Sequence, residues 1–162
     1  MQGCPCGYFG SDKECLCTPT QIQRYLNRIS GPLLDRMDMH IEIPRVKFEE
    51  LQDKAAGEDS SSMRERVNRA QEIQKIRFKD IDINFNAQMR PEEIRRYCKL
   101  DKNSKRIFKK AFDTLNMSAR AYDRILKVAR SIADLENSNP VTLDHLSEAL
   151  RYRSLDRKYW NL

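Results

Sequence analysis

No segment of the 162-residue chain matches G-x-x-x-x-G-K-[ST], and no apolar run ends in a paired acidic metal site. A phosphate-cradling loop and the acid that would hold Mg2+ are thus both missing from these residues. The patterns H-x-x-x-H, G-x-S-x-G and G-x-G-x-x-G are absent as well. Histidine is scarce. His40 and His145 stand far from the cysteines in sequence, so nothing suggests a Cys/His nucleophilic pair. These absences argue against an enzyme that acts by itself. No apolar stretch approaches the roughly 18–20 residues that a membrane-spanning helix needs. The polar, cysteine-rich N-terminus does not read as a signal peptide. A soluble, cytoplasmic protein with no membrane partner is expected. No internal repeat is found.

Charge is present and unevenly placed. The net charge is +6. Residues 90–110 hold nine lysines and arginines against Glu92, Glu93 and Asp101, so this one window equals the whole net charge. Such a patch, with Lys102, Lys105, Arg106, Lys109 and Lys110 at its centre, can attract DNA or another polyanion. It can equally be the solvated face of a helix. Four of five cysteines lie within the first 17 residues, and Cys98 stands apart. An odd count in a reducing compartment argues against a disulfide framework.

Local signals divide the chain. Thr18 followed by Pro19 opens a helix through Ile22, Tyr25, Leu26 and Ile29, and Ser30-Gly31-Pro32 breaks it. In MDMHIEI, Met37, Met39, Ile41 and Ile43 alternate with Asp38, His40 and Glu42, which predicts a half-buried strand ended by Pro44. A short helix near Phe48–Ala55 precedes GEDSSS, the best candidate for a hinge. Thereafter the pattern is helical. Ser62 and Glu65 suggest a capping box ahead of a face of Val67, Ala70, Ile73 and Ile76. Residues 80–90 read as irregular. Pro91 opens a short helix ending near Cys98. Ser104 caps the next, with Phe108 among its inward residues. Ser118 caps the longest, stopped by Asn139-Pro140, and Thr142 caps a last one; the tail SLDRKYWNL is less defined. The expected fold is mainly α: a helical bundle over residues 57–162, preceded by residues 1–56 as a helix–strand edge. A lone strand leaves its backbone groups without ladder partners, so this first part reads as the trailing edge of a larger α/β domain.

Three constellations could carry chemistry. Cys4-x-Cys6 and Cys15-x-Cys17 supply four thiolates, the number a structural zinc site requires, although C-x-C is a tighter spacing than the usual C-x2-C. Four reduced cysteines in a loop hairpin is the alternative. Arg36 lies between Asp35 and Asp38 just ahead of the expected strand. Its permanently charged, planar group suits stabilisation of a phosphate on a neighbouring subunit, or an ion pair with either aspartate. Arg120 falls in the first turn of the helix capped by Ser118, where a cation opposes the helix dipole. That position either faces an anion such as a phosphate or lies on the solvated stripe with Asp123, Arg124 and Lys127.

The segments CPCGYFG, TPTQIQRYLNRISGPLLDRMDMHIEIPRV and NMSARAYDRILKVARSIADLE, in this order, resemble the C-terminal portion of the YifB/ComM group of magnesium-chelatase-like AAA+ ATPases. The resemblance covers nearly the whole chain and is weakest over residues 50–88 and in the tail. It implies that residues 57–162 form the helical lid of the ATPase. It implies that ATP and Mg2+ belong to the full-length parent and that none is bound tightly by these residues alone. The parent would form a homo-oligomeric ring, a hexamer, with branched DNA as a substrate in some members. Arg36, in LLDR, matches the arginine finger acting in trans. Arg120, in the S-x-R start of a lid helix, matches sensor 2. The family's sensor 1 asparagine, just before CPCG, falls on Gln2 here, so that role is not carried over.

Overall fold

The structure is a computed structural model describing residues 2–41, 43, 46 and 57–153. The short helix expected near residues 48–55 and the tail from residue 154 lie outside the described residues.

Side chains close the helix starts. In α1 (Pro19–Leu26), the Thr18 hydroxyl accepts the Gln21 amide at 3.3 Å, and the Gln21 side chain accepts the Thr18 amide at 2.9 Å. This reciprocal box satisfies two of the orphan amides at a helix start. One turn, α2 (Gly31–Leu34), follows the Ser30-Gly31-Pro32 break. Ile22 and Leu26 of α1 pack on Cys4 and form a small apolar cluster separate from the main core.

The expected strand is not formed among the described residues. Met39, Ile41 and Ile43 are 51%, 65% and 83% exposed, while the intervening His40 is buried. The expected inward positions thus face solvent, as Asp38 does too. A strand needs a ladder partner. Here the His40 amide makes a 2.6 Å bond to the carbonyl of Tyr152, at the end of the last helix.

The remaining helices are α3 (Ser60–Phe78), α4 (Pro91–Tyr97), α5 (Lys102–Thr114), α6 (Ala119–Leu135) and α7 (Leu143–Arg151). Helix α6 is central and packs on α3, α4 and α7. Ile125, Ala129 and Ala133 are fully buried on it, and Leu146 and Ala149 of α7 meet the same core. Small side chains four residues apart let two helices approach closely, so that ridges seat in grooves.

Two helix starts differ from expectation. Asp59, not Ser62, caps α3: its carboxylate accepts the Ser61 and Ser62 amides, both at 2.8 Å. Ser60, Ser61 and Ser62 of the GEDSSS stretch therefore form the first turn of α3. Asp101, not Ser104, caps α5, accepting the Ser104 amide at 2.7 Å. In both cases the helix begins three residues earlier than expected, and the serine's own amide is one that the aspartate accepts. The buried face of α3 also differs. Val67 and Ile76 are 46% and 70% exposed, and the inward residues are Ala70, Gln74 and Phe78.

Two helix ends are built alike. Asn116 and Asn137 adopt left-handed backbone, with φ of 47° and 56°. The next amides, of Met117 and Ser138, reach back to the Phe112 and Ala133 carbonyls at 3.1 and 2.8 Å. These are Schellman closures with asparagine in the position glycine usually takes. Helix α6 thus ends before Asn139-Pro140.

Candidate functional site

Four cysteines converge. Residues 2–17 fold back through Gly7 and Gly10, whose φ of 80° and 78° suit glycine. The Sγ of Cys4 lies 3.3 Å from that of Cys6 and 3.7 Å from that of Cys15, and Cys6 and Cys15 are 3.6 Å apart. All four Sγ atoms, including Cys17's, lie within 4.8 Å of one another. No disulfide joins them; all are free thiols. Zinc–sulfur bonds of about 2.3 Å place the corners of a tetrahedron about 3.8 Å apart, so the donor set fits one four-coordinate metal ion. Burial opposes ionisation of Cys4, but the Phe9 amide and the thiols of Cys6 and Cys15 bring it down to about 6. The Cys17 amide favours the Cys15 thiolate, yet desolvation and the thiols of Cys6 and Cys4 push Cys15 up to about 12. One sulfur thus takes the negative charge and its neighbours donate to it. Cys98 sits apart in the main core, where burial first of all pushes its thiol up to about 11.

A second constellation joins the two parts of the chain. Ser118, whose hydroxyl caps α6 by accepting the Ala121 amide at 3.1 Å, donates to the carboxylate of Asp35, 2.8 Å from either oxygen. Arg153, almost fully buried, donates to the Met37 carbonyl at 2.6 Å and approaches Asp35 at 3.7 Å. Arg124 pairs with Asp38. Both aspartates that could have paired with Arg36 are therefore held by other groups. Arg36 follows Asp35 directly, and Arg120 lies two residues beyond Ser118, so both arginines flank one contact. Both are exposed, and neither forms an ion pair among the described residues. The Asp35 carboxylate stands at the start of α6, where it accepts from Ser118.

The basic window maps largely onto α5. Lys102, Lys105, Arg106, Lys109 and Lys110 are all exposed, opposite the buried Ser104 and Phe108. Phe108 stacks on Tyr122 of α6, ring centroids 4.9 Å apart, which fixes the face that points outward.

Sequence reading missed one polar centre. Asp134 is 1% exposed and accepts from Arg77 at 2.7 Å, from Arg130 at 2.9 Å and from the Asn86 side chain at 2.8 Å. Gln74 accepts the Asn86 backbone amide at 2.9 Å. Arg130 donates further to the carbonyls of Ser138, at 2.5 Å, and Asn139. This knot ties α3, the 3-10 turn Asn86–Gln88 and α6 together, and it is structural. Only the i,i+4 spacing of Arg130 and Asp134 was a local sign of it. His145 is structural too: its Nδ1 accepts the Thr142 amide at 3.0 Å, and its Nε2 lies 2.8 Å from Glu136.

The described residues form a mainly α unit with an exposed arginine at the start of its central helix. Residues 57–153 match the family described as magnesium chelatase, subunit ChlI C-terminal, and residues 1–51 match magnesium chelatase, subunit ChlI. The chain belongs to the magnesium chelatase ChlI family. It is 45% identical over 141 residues to competence protein ComM of Haemophilus influenzae, covering 86% of this chain and 27% of that protein. It is 40% identical over 158 residues to YifB of Salmonella typhimurium, covering 97% of this chain and 30% of that one. Rv2897c of Mycobacterium tuberculosis is 32% identical over 150 residues, 93% of this chain and 29% of the relative. The chain thus spans under a third of the length of these relatives. No helix among the described residues is long and apolar enough to cross a membrane.

Proposed function

We propose that the chain is the nucleotide-sensing, regulatory C-terminal part of a ring-forming, cytoplasmic AAA+ ATPase. Residues 57–162 serve as its lid and residues 1–56 as the edge of its core. The carrying observation is the Asp35–Ser118 contact, which brings the segments of Arg36 and Arg120 to one seam with both guanidinium groups unpaired among the described residues. In this reading Arg36 reaches the γ-phosphate on an adjacent subunit, and Arg120 reads the phosphates of its own. A guanidinium needs no deprotonation and offers a bidentate fork to phosphate oxygens, so both positions suit stabilisation of transferring charge. ATP and Mg2+ would be held by residues outside this chain. Asp35 offsets the helix dipole at the start of α6 and thereby lowers the cost of keeping Arg120 there.

The test grafts this chain in place of the corresponding C-terminal part of the Haemophilus relative and measures ATP turnover. Arg36→Ala is expected to lower kcat by about 10^3-fold, the scale of a lost arginine finger. Arg120→Ala is expected to lower kcat/KM. Both substitutions should leave the melting curve of the isolated chain within about 0.5 kcal/mol of the parent, as exposed positions do. ATP turnover by the pure 162-residue chain, or unchanged turnover in both grafted variants, would refute the assignment.

A second reading rests on α5, whose five cations share one solvent face. In it the lid also contacts DNA. Binding that weakens steeply with salt, and drops on charge reversal at Lys105, Arg106 and Lys109, would support it. No shift in a low-salt gel would remove it.

A further inference from the structure

We propose that Cys4, Cys6, Cys15 and Cys17 bind one Zn2+ ion in an all-thiolate site that clips the N-terminal loop onto the start of α1. This inference is independent of the arginine reading, because the cluster packs on Ile22 and Leu26 and not on the main core.

Four observations carry it. The sulfur spacings of 3.3, 3.6 and 3.7 Å are close to the edges of a zinc–thiolate tetrahedron. All are too long for a disulfide, whose sulfurs stand about 2.05 Å apart. All four sulfurs lie within 4.8 Å of one another, closer than a cluster that spreads four cysteines over two or more irons would hold them. Second, the loop is shaped around the sulfurs. The Phe9 amide donates to Cys4 Sγ at 3.3 Å, a contact of the kind that orients and stabilises a metal-bound thiolate. Gly3 leaves room for that turn: a Cβ there would lie 3.3 Å from both the carbonyl oxygen and a ring carbon of Phe9. Third, Cys4 is completely buried beside α1, where a lone thiol would make little use of its donors. Fourth, cations stand where the charge of the site would need them. Cys6 and Cys17 line an open concavity of about 590 Å3 together with Arg24, Tyr25 and Arg28. The Arg28 guanidinium lies 5.6 Å from the centroid of the Tyr25 ring.

The charge balance is explicit. Four thiolates and one Zn2+ give a complex of net charge −2, and each thiol that is still protonated releases its proton to solvent on binding. Arg24 and Arg28, on the open side of the cluster, offset that charge. The mechanical consequence follows from position. Cys17 immediately precedes Thr18, the cap of α1. Fixing Cys17 to Cys4 and Cys6 therefore anchors the start of the helix whose far end leads toward Arg36.

The experiment uses the full 162-residue chain, purified under reducing conditions without a metal-chelating tag. Elemental analysis is expected to give one zinc per chain. Exchange with Co2+ should give the intense d–d absorption of a tetrahedral tetrathiolate site. Cys15→Ser should lose stoichiometric zinc in competition with a colorimetric chelator, while Cys98→Ser keeps it. Zinc removal should lower hydrogen-exchange protection of the α1 amides and leave the main melting transition in place. Iron in place of zinc, disulfides among the four cysteines, or no zinc uptake by fully reduced chain would each overturn the proposal. If Cys15→Ser fails to fold, titration of the reduced wild-type apo chain with Zn2+ decides: saturation at one equivalent supports the site, and no saturable binding sinks it.

Discussion

Asp134→Ala should come close to unfolding the helical unit. The substitution removes a carboxylate that is 1% exposed and leaves two guanidinium groups and the Asn86 amide without their acceptor. Arg130 is 2% exposed, and desolvation foremost disfavours its charged form, with the Asp134 charge opposing that trend. The Arg77 side chain is 10% exposed. Arg130 would keep its bonds to the Ser138 and Asn139 carbonyls, but neither carries a full negative charge. Removing one partner of a buried ion pair costs about 3–5 kcal/mol, because the remaining charge stays buried and uncompensated. Total stabilities are about 5–15 kcal/mol, so the loss is a large share of the whole. For a unit of about 100 residues, each kcal/mol moves Tm by about 4–8 °C, giving a drop of about 12–40 °C. Urea denaturation of the full chain, followed by circular dichroism, reads the free energy directly. Asp134→Asn keeps one acceptor oxygen and should fall between the two. Replacing Asp134, Arg77 and Arg130 together by apolar residues of similar size should recover much of the loss, since an apolar substitute avoids the desolvation penalty of the ions. A loss below about 1 kcal/mol for Asp134→Ala, the scale of an exposed ion pair, would refute the view that this knot holds α3 against α6.

Asn137→Ala should destabilise the chain by about 1–2 kcal/mol, since left-handed backbone costs an ordinary residue that much, and Asn137→Gly should be near neutral; equal melting points for the two would contradict the closure described at the end of α6. The Asp59 cap carries a pH signature. The Ser61 hydroxyl, with the Ser62 amide and hydroxyl, holds its carboxyl at about 2 against an ordinary 3.8. A depressed folded-state value means the cap's contribution is fully present above about pH 4 and is lost as pH falls through about 2. The Ser61 and Ser62 amide resonances should titrate with that low midpoint, and a midpoint near 3.8 would show that the cap does not form.

Legibility followed the range of the interaction. Thr18, Ser118 and Thr142 were readable as helix starts because each bonds within three residues: the first two accept an amide, and the Thr142 amide donates to the His145 ring. Where Asp59 and Asp101 rather than Ser62 and Ser104 are the caps, each helix begins three residues earlier than read, and the helices themselves were read correctly. The cysteine cluster was readable as a donor set, because four thiols within 14 residues have few ways to avoid one another. Its sulfur spacings were not readable. The inward face of α3 was misjudged because its apolar periodicity pointed to Val67 and Ile76, whereas Gln74 and Arg77 are drawn inward by Asn86 and Asp134.

The sequence alone determined that the chain is mainly helical, where most helices begin, and which four cysteines form one donor set. Those properties depend on residue type, on a 3.6-residue period and on contacts a turn away. Only the tertiary structure decided that Asp134 gathers Arg77 from 57 residues away and Asn86 from 48. It likewise decided that no strand forms among the described residues of 37–43, and that Asp35 meets Ser118 across 83 residues. The physical reason is common to all three. A buried charge, an unpaired strand and an exposed hydroxyl each need a partner, and the identity of a partner far along the chain depends on how the helices pack.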